Sequence, residues 1–123
     1  MLSEWSTFLI KDADEAFCNG AYLATVLVSQ AAIESHLRYE YFDGQTSKRL
    51  GFFELIEQSP VPSDLKDEMH TLRKYPNKWA HVNDPKEDGD LLVRPEYHEI
   101  ELEKMAILAA RTLRQVIYHE QWI

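Results

Sequence analysis

Apolar side chains recur along this chain at steps of three and four residues, the pattern of helices that bury one face. The steps are clearest near the C-terminus, where Leu102, Met105, Ala106, Ala109, Leu113, Val116 and Ile117 form one stripe. A helix over about 95–120 is predicted there. Near the N-terminus Trp5, Phe8, Leu9, Ala13, Ala16 and Phe17 keep the same period, and Ser3 stands where a cap belongs. Asn19-Gly20 interrupts that helix as a turn or a kink. Residues 21–33 are mostly apolar in every phase, which marks a helix surrounded by others. It should continue through Leu37 and Tyr41 and stop before Asp43-Gly44.

A shorter helix is predicted over 50–56, stopped by Ser59-Pro60. Pro62 opens a fourth, with Ser63 or Asp64 as its cap. Its inward positions are Leu65, Met69, Leu72, Trp79 and Val82. Residues 83–89 read as an acidic loop, and Leu91, Leu92 and Val93 as a brief extended segment. The whole is an all-α protein, an antiparallel bundle of four to five helices in a single domain over 1–123.

Composition changes this picture only at its edges. A chain of 123 residues with 45% apolar side chains is long enough and apolar enough for one folded core. The net charge of −8 argues against broad, field-driven binding to nucleic acid or anionic membrane, while leaving room for a local basic patch. The one cysteine, Cys18, has no internal partner and is expected as a small buried side chain rather than a nucleophile. No apolar run reaches the roughly 18 residues of a membrane span. The N-terminus lacks the basic-then-apolar pattern of a signal segment, so the mature chain is expected to begin at Met1 in a reducing cytoplasm. His36, His70, His98 and His119 show no metal-ligand spacing, and no cofactor is expected. Neither a Gly-rich phosphate loop nor a hydrolase elbow is present.

Candidate chemistry concentrates in residues 72–83. Arg73, Lys74, Lys78, Asn77 and His81 fall within nine positions of an otherwise acidic chain. Arg and Lys can hold a phosphate, and an imidazole can move protons near neutral pH. On a continuous helix Asn77 and His81 lie one turn apart, with Lys78 and Lys74 on nearly the same side. Pro76 interrupts that geometry. Inside a helix it removes a backbone hydrogen bond and clashes with the carbonyl of residue 72, at a cost of roughly 3 kcal/mol. A kink or a break is therefore predicted at Tyr75-Pro76, with Tyr75 displaced from helical geometry.

The helix order, with the segment from Arg73 to His81 ending the penultimate long helix and Asn77-Lys78-Trp79-Ala80-His81 matching the latter part of the motif, resembles the HEPN family (higher eukaryotes and prokaryotes nucleotide-binding). The stretch from Gln30 to Arg38 is similar to the first long core helix of that family. The resemblance implies an HEPN-like bundle, catalytic roles for His81 and Asn77, and supporting roles for Glu34 and Arg38. Arg73, Lys74 and Lys78 are the candidate RNA- or phosphate-binding cations. Where the family carries an arginine before the asparagine, this chain has Pro76, and Arg73 stands eight residues before His81.

The implied activity is that of a metal-independent endoribonuclease of the toxin or defence type. Its composite site would lie at a homodimer interface, and an antitoxin or other protein is a possible partner. The loss of the motif arginine implies an alternative, a catalytically silent module that binds RNA, a nucleotide or a protein. A purely structural helical protein with an incidental basic segment is the third reading.

Overall fold

The computed structural model describes residues 3–42, 49–77 and 95–119. Within them the chain is helical throughout, with five helices and no strand. These are α1 (Glu4–Cys18), α2 (Tyr22–Tyr41), α3 (Phe52–Gln58), α4 (Ser63–Lys74) and α5 (Pro95–Tyr118). Trp79, Val82, the acidic loop and the extended segment expected at 91–93 lie outside the described residues.

Ser3 caps α1 as its sequence position suggests. Its hydroxyl accepts the backbone N–H of Ser6 at 3.1 Å and donates to the Ser6 hydroxyl at 2.9 Å. Ser6 in turn donates to Ser35 of α2 at 3.2 Å. This chain of hydroxyls lets a polar residue sit fully buried between two helices, because each hydroxyl has a partner. Contact between an early residue of α1 and a late residue of α2 makes the two helices antiparallel.

Their connection is a helix stop followed by an immediate restart. Ala21 donates its N–H to the Ala16 carbonyl at 2.8 Å, and Gly20 to that of Phe17 at 3.1 Å. This is the paired bonding of a Schellman turn, which needs a left-handed residue at its second-last position. Gly20 supplies it with φ +74°. The Asn19-Gly20 interruption is thus a full reversal rather than a kink.

The helix α2 is the central element, packing chiefly on α1 and α5 and also touching α3 and α4. Its buried side chains Val26, Ala32, Ile33 and Leu37 join Leu55 and Ile56 of α3, Met69 and Leu72 of α4, and Ala106, Ala109, Leu113 and Val116 of α5. The C-terminal stripe therefore faces the core as predicted, with Leu102 and Met105 half-buried at its edge. Glu68 of α4 ties down α5 by accepting from the buried Thr112 hydroxyl at 3.2 Å and from Arg111 at 3.3 Å.

Several expectations are corrected. Trp5 and Phe8 do not face the core: they are 79% and 69% exposed. The rest of the predicted stripe holds: Ala13 is buried and Leu9 and Phe17 pack half-buried against the core, joined by Ser6 and Ile10. Cys18, expected as a small buried side chain, is exposed in the last turn of α1. The third helix begins two residues later than expected, because Gly51 stands at its N-cap. Ser63 lies inside α4, whose N-cap is Pro62, and no side chain caps it; Asp64 instead accepts the N–H of Leu65 at 2.9 Å.

The break before Pro76 is present, since α4 ends at Lys74. Tyr75 nevertheless keeps right-handed helical angles (φ −61°, ψ −44°) and donates its N–H to the Thr71 carbonyl at 3.2 Å. The proline withdraws only its own N–H, so the helix completes its last turn before stopping.

Candidate nucleic-acid interface

The predicted site residues fall into two groups that meet around α3. The first is Glu34 and Arg38, one turn apart on α2. Arg38 donates to the Glu34 carboxylate at 2.8 Å and, from its other terminal nitrogen, to the Leu50 carbonyl at 3.1 Å. The pair is half-buried. An i,i+4 ion pair of this kind contributes roughly 0.5 kcal/mol. Its larger effect is directional, holding the guanidinium against the backbone just before α3.

The second group lies at the end of α4. Arg73 is half-buried and Lys74 exposed, and both occupy the last turn, where cations suit the helix dipole. Asn77, four residues beyond Arg73, is exposed and helical in conformation. Lys78 and His81 lie outside the described residues.

Arg73 is fixed by three side chains that the sequence reading left without a role. Its Nε donates to Nδ1 of His70 at 3.2 Å. With Nδ1 accepting, the imidazole proton of the neutral ring is on Nε2, which donates to the Glu57 carboxylate at 2.6 Å. The guanidinium carbon stands 5.2 Å from the centroid of the Phe53 ring, a cation–π contact. The Phe53 and His70 rings are 5.1 Å apart and inclined at 40°.

Local sequence explains this arrangement. Phe53 and Glu57 are i,i+4 on α3, and His70 and Arg73 are i,i+3 on α4, so each helix presents one polar-aromatic face. A helix of seven residues does not hold itself in water. Leu55 and Ile56 anchor α3 in the core on its other side, and Ser59 closes its end by donating its hydroxyl to the Ile56 carbonyl at 2.7 Å. The signal available in the sequence was the spacing of His70, Arg73 and Asn77.

Two open hollows lie elsewhere and gather none of the predicted site residues. One, of about 560 Å³, is lined by Asp64, Glu68, Arg114 and Tyr118 at the far end of α4. The other, of about 630 Å³, lies between the starts of α2 and α5. Among the described residues no three His, Cys, Asp or Glu side chains are grouped as metal ligands, and no helix is long and apolar enough to cross a membrane.

Comparison of the chain with known protein families, with curated proteins and with solved structures returns no match. The HEPN resemblance therefore rests on the residues and on the helical order described above.

Proposed function

We propose that this chain is an HEPN-like, RNA-directed protein that acts as a metal-independent endoribonuclease with a composite site at a homodimer interface. The observation that carries the reading is the fixed Arg73. It precedes Asn77 by four residues, is oriented by His70 and Phe53, and uses only Nε in the bonds described, so its terminal nitrogens can address a phosphate. A planar guanidinium fork suits phosphate oxygens. His81 is then the proton-transfer group for attack of the RNA 2′-hydroxyl on its own phosphate, and Asn77 and Lys78 complete the site.

Exposed apolar residues on the long helices support the homodimer. Tyr97, Ile100 and Ile107 make a line along α5, and Trp5 and Phe8 another on α1. Isolated exposed apolar residues are ordinary, whereas runs along one helix suit a protein surface.

The alternative is a silent RNA-, nucleotide- or protein-binding module. Pro76 favours it, because a break separates Arg73 from the segment leading to His81. The two readings part on cleavage. Purified protein is incubated with transfer and messenger RNA in EDTA beside His81→Ala, and fragment ends are read. Cyclic-phosphate ends that vanish in the variant support the nuclease. Intact RNA in both samples, from folded protein that binds RNA, supports the silent module.

A further inference from the structure

Phe53 is 49% exposed directly beside Arg73, whose guanidinium is oriented by His70. His70 and Arg73 touch one another, so both approach the ring from the α4 side. A benzyl ring held in place by two neighbours, with a guanidinium 5.2 Å from its centre, presents two contacts that a single nucleotide can satisfy together. The base can stack on the ring while a phosphate meets the terminal nitrogens of Arg73. Stacking needs a π-face and no particular base, so such a site takes single-stranded RNA without strong sequence preference.

The alternative role for Phe53 is packing alone. That role does not require the cation beside it. Arg73 is already held through His70 and, behind it, Glu57, whose carboxylate is half-exposed and fixes the imidazole rather than the guanidinium. Phe53, 49% exposed, and the half-buried Arg73 thus stand in contact where α3 meets α4.

We infer that Phe53 and Arg73 form a nucleotide subsite for single-stranded RNA, with Phe53 stacking a base and Arg73 holding a phosphate. This rests on the RNA-directed reading given above. It extends that reading to α3, a helix outside the Asn77–His81 segment.

The test is fluorescence anisotropy at low salt with EDTA. The probes are a short labelled 2′-O-methyl oligouridine, which cannot cleave itself, and an abasic oligomer of equal length. Wild type, Phe53→Ala and Phe53→Trp are compared, each checked for helix content and thermal midpoint. The subsite predicts tighter binding of oligouridine than of the abasic chain. It further predicts a loss of about 5- to 30-fold for oligouridine in Phe53→Ala with little change for the abasic chain, and retained binding in Phe53→Trp. Equal binding of both probes by wild type, or a Phe53→Ala effect that is absent or the same for both, overturns the subsite and leaves the RNA reading standing. Failure of folded wild type to bind either probe overturns the RNA reading and the subsite with it.

Discussion

Replacing His70 by alanine tests whether the contacts between α3 and α4 form a coupled unit. The substitution removes the bond from Arg73 Nε, the bond to Glu57 and the ring contact with Phe53. Bonds involving charged partners contribute roughly 1.5–3 kcal/mol when well buried. Here the Glu57 side chain is half-exposed and water replaces much of what is lost, so each bond is discounted to about 0.5 kcal/mol. The ring contact adds about 0.5 kcal/mol. The sum is about 1.5 kcal/mol, or a fall in thermal midpoint of roughly 4–8 °C for a domain of this size. The assay is urea unfolding of His70→Ala, Glu57→Ala and the double variant. The structure predicts a coupling energy of about 0.5 kcal/mol between the two positions. Strictly additive losses, or a His70→Ala protein as stable as wild type, would refute the reasoning that these side chains hold one another.

Other outcomes follow from the same contacts. Gly20→Val should cost about 1–2 kcal/mol in urea unfolding, because a β-branched residue is strained at φ +74° although the space around it is open. Ser3→Ala should lower stability by about 1 kcal/mol through loss of the α1 cap. Leu37→Ala, which empties a fully buried position on the central helix, should cost about 2–5 kcal/mol in the same experiment. Glu68→Ala should cost about 1 kcal/mol by leaving the buried Thr112 hydroxyl without its carboxylate, and Thr112→Val in that background should recover part of the loss. On the proposed chemistry, Pro76→Arg should raise RNA cleavage measured in EDTA above that of wild type; unchanged activity in a folded variant would show that the proline is not what limits the site.

Much of the fold could be read from the sequence, because α5 buries its aliphatic residues in a clean helical phase and α2 is apolar in nearly every phase, as a central helix is. In α1 the positions Leu9, Ala13 and Phe17 were legible, whereas Trp5 and Phe8 were misplaced for a physical reason: the first turns face α2 with the buried Ser6, satisfied by a hydroxyl chain to Ser35, and leave these two aromatics outside. A hydrophobicity pattern assumes the opposite. The start of α3 was misjudged because Leu50, apolar and helix-like, precedes the Gly51 cap. At the candidate site, the Glu34–Arg38 pair was legible because it is local, four residues apart on one helix. The bond between Glu57 and His70 spans thirteen residues and two helices, and no spacing rule within a single helix reveals it. The same holds for Phe53, whose place beside Arg73 depends on how α3 docks on α4.

The central claim is that the end of α4 meets RNA phosphates through Arg73 and Lys74, which both the nuclease reading and the RNA-binding form of the silent module require. The most direct measurement is the affinity of the full chain for a short single-stranded 2′-O-methyl RNA across a salt series, beside Arg73→Gln. The account predicts binding that weakens linearly on a log–log salt plot, with a slope smaller in magnitude by about 0.7 in the variant for the one phosphate contact removed. No binding at the lowest salt by folded protein, or an identical slope in Arg73→Gln, would contradict it.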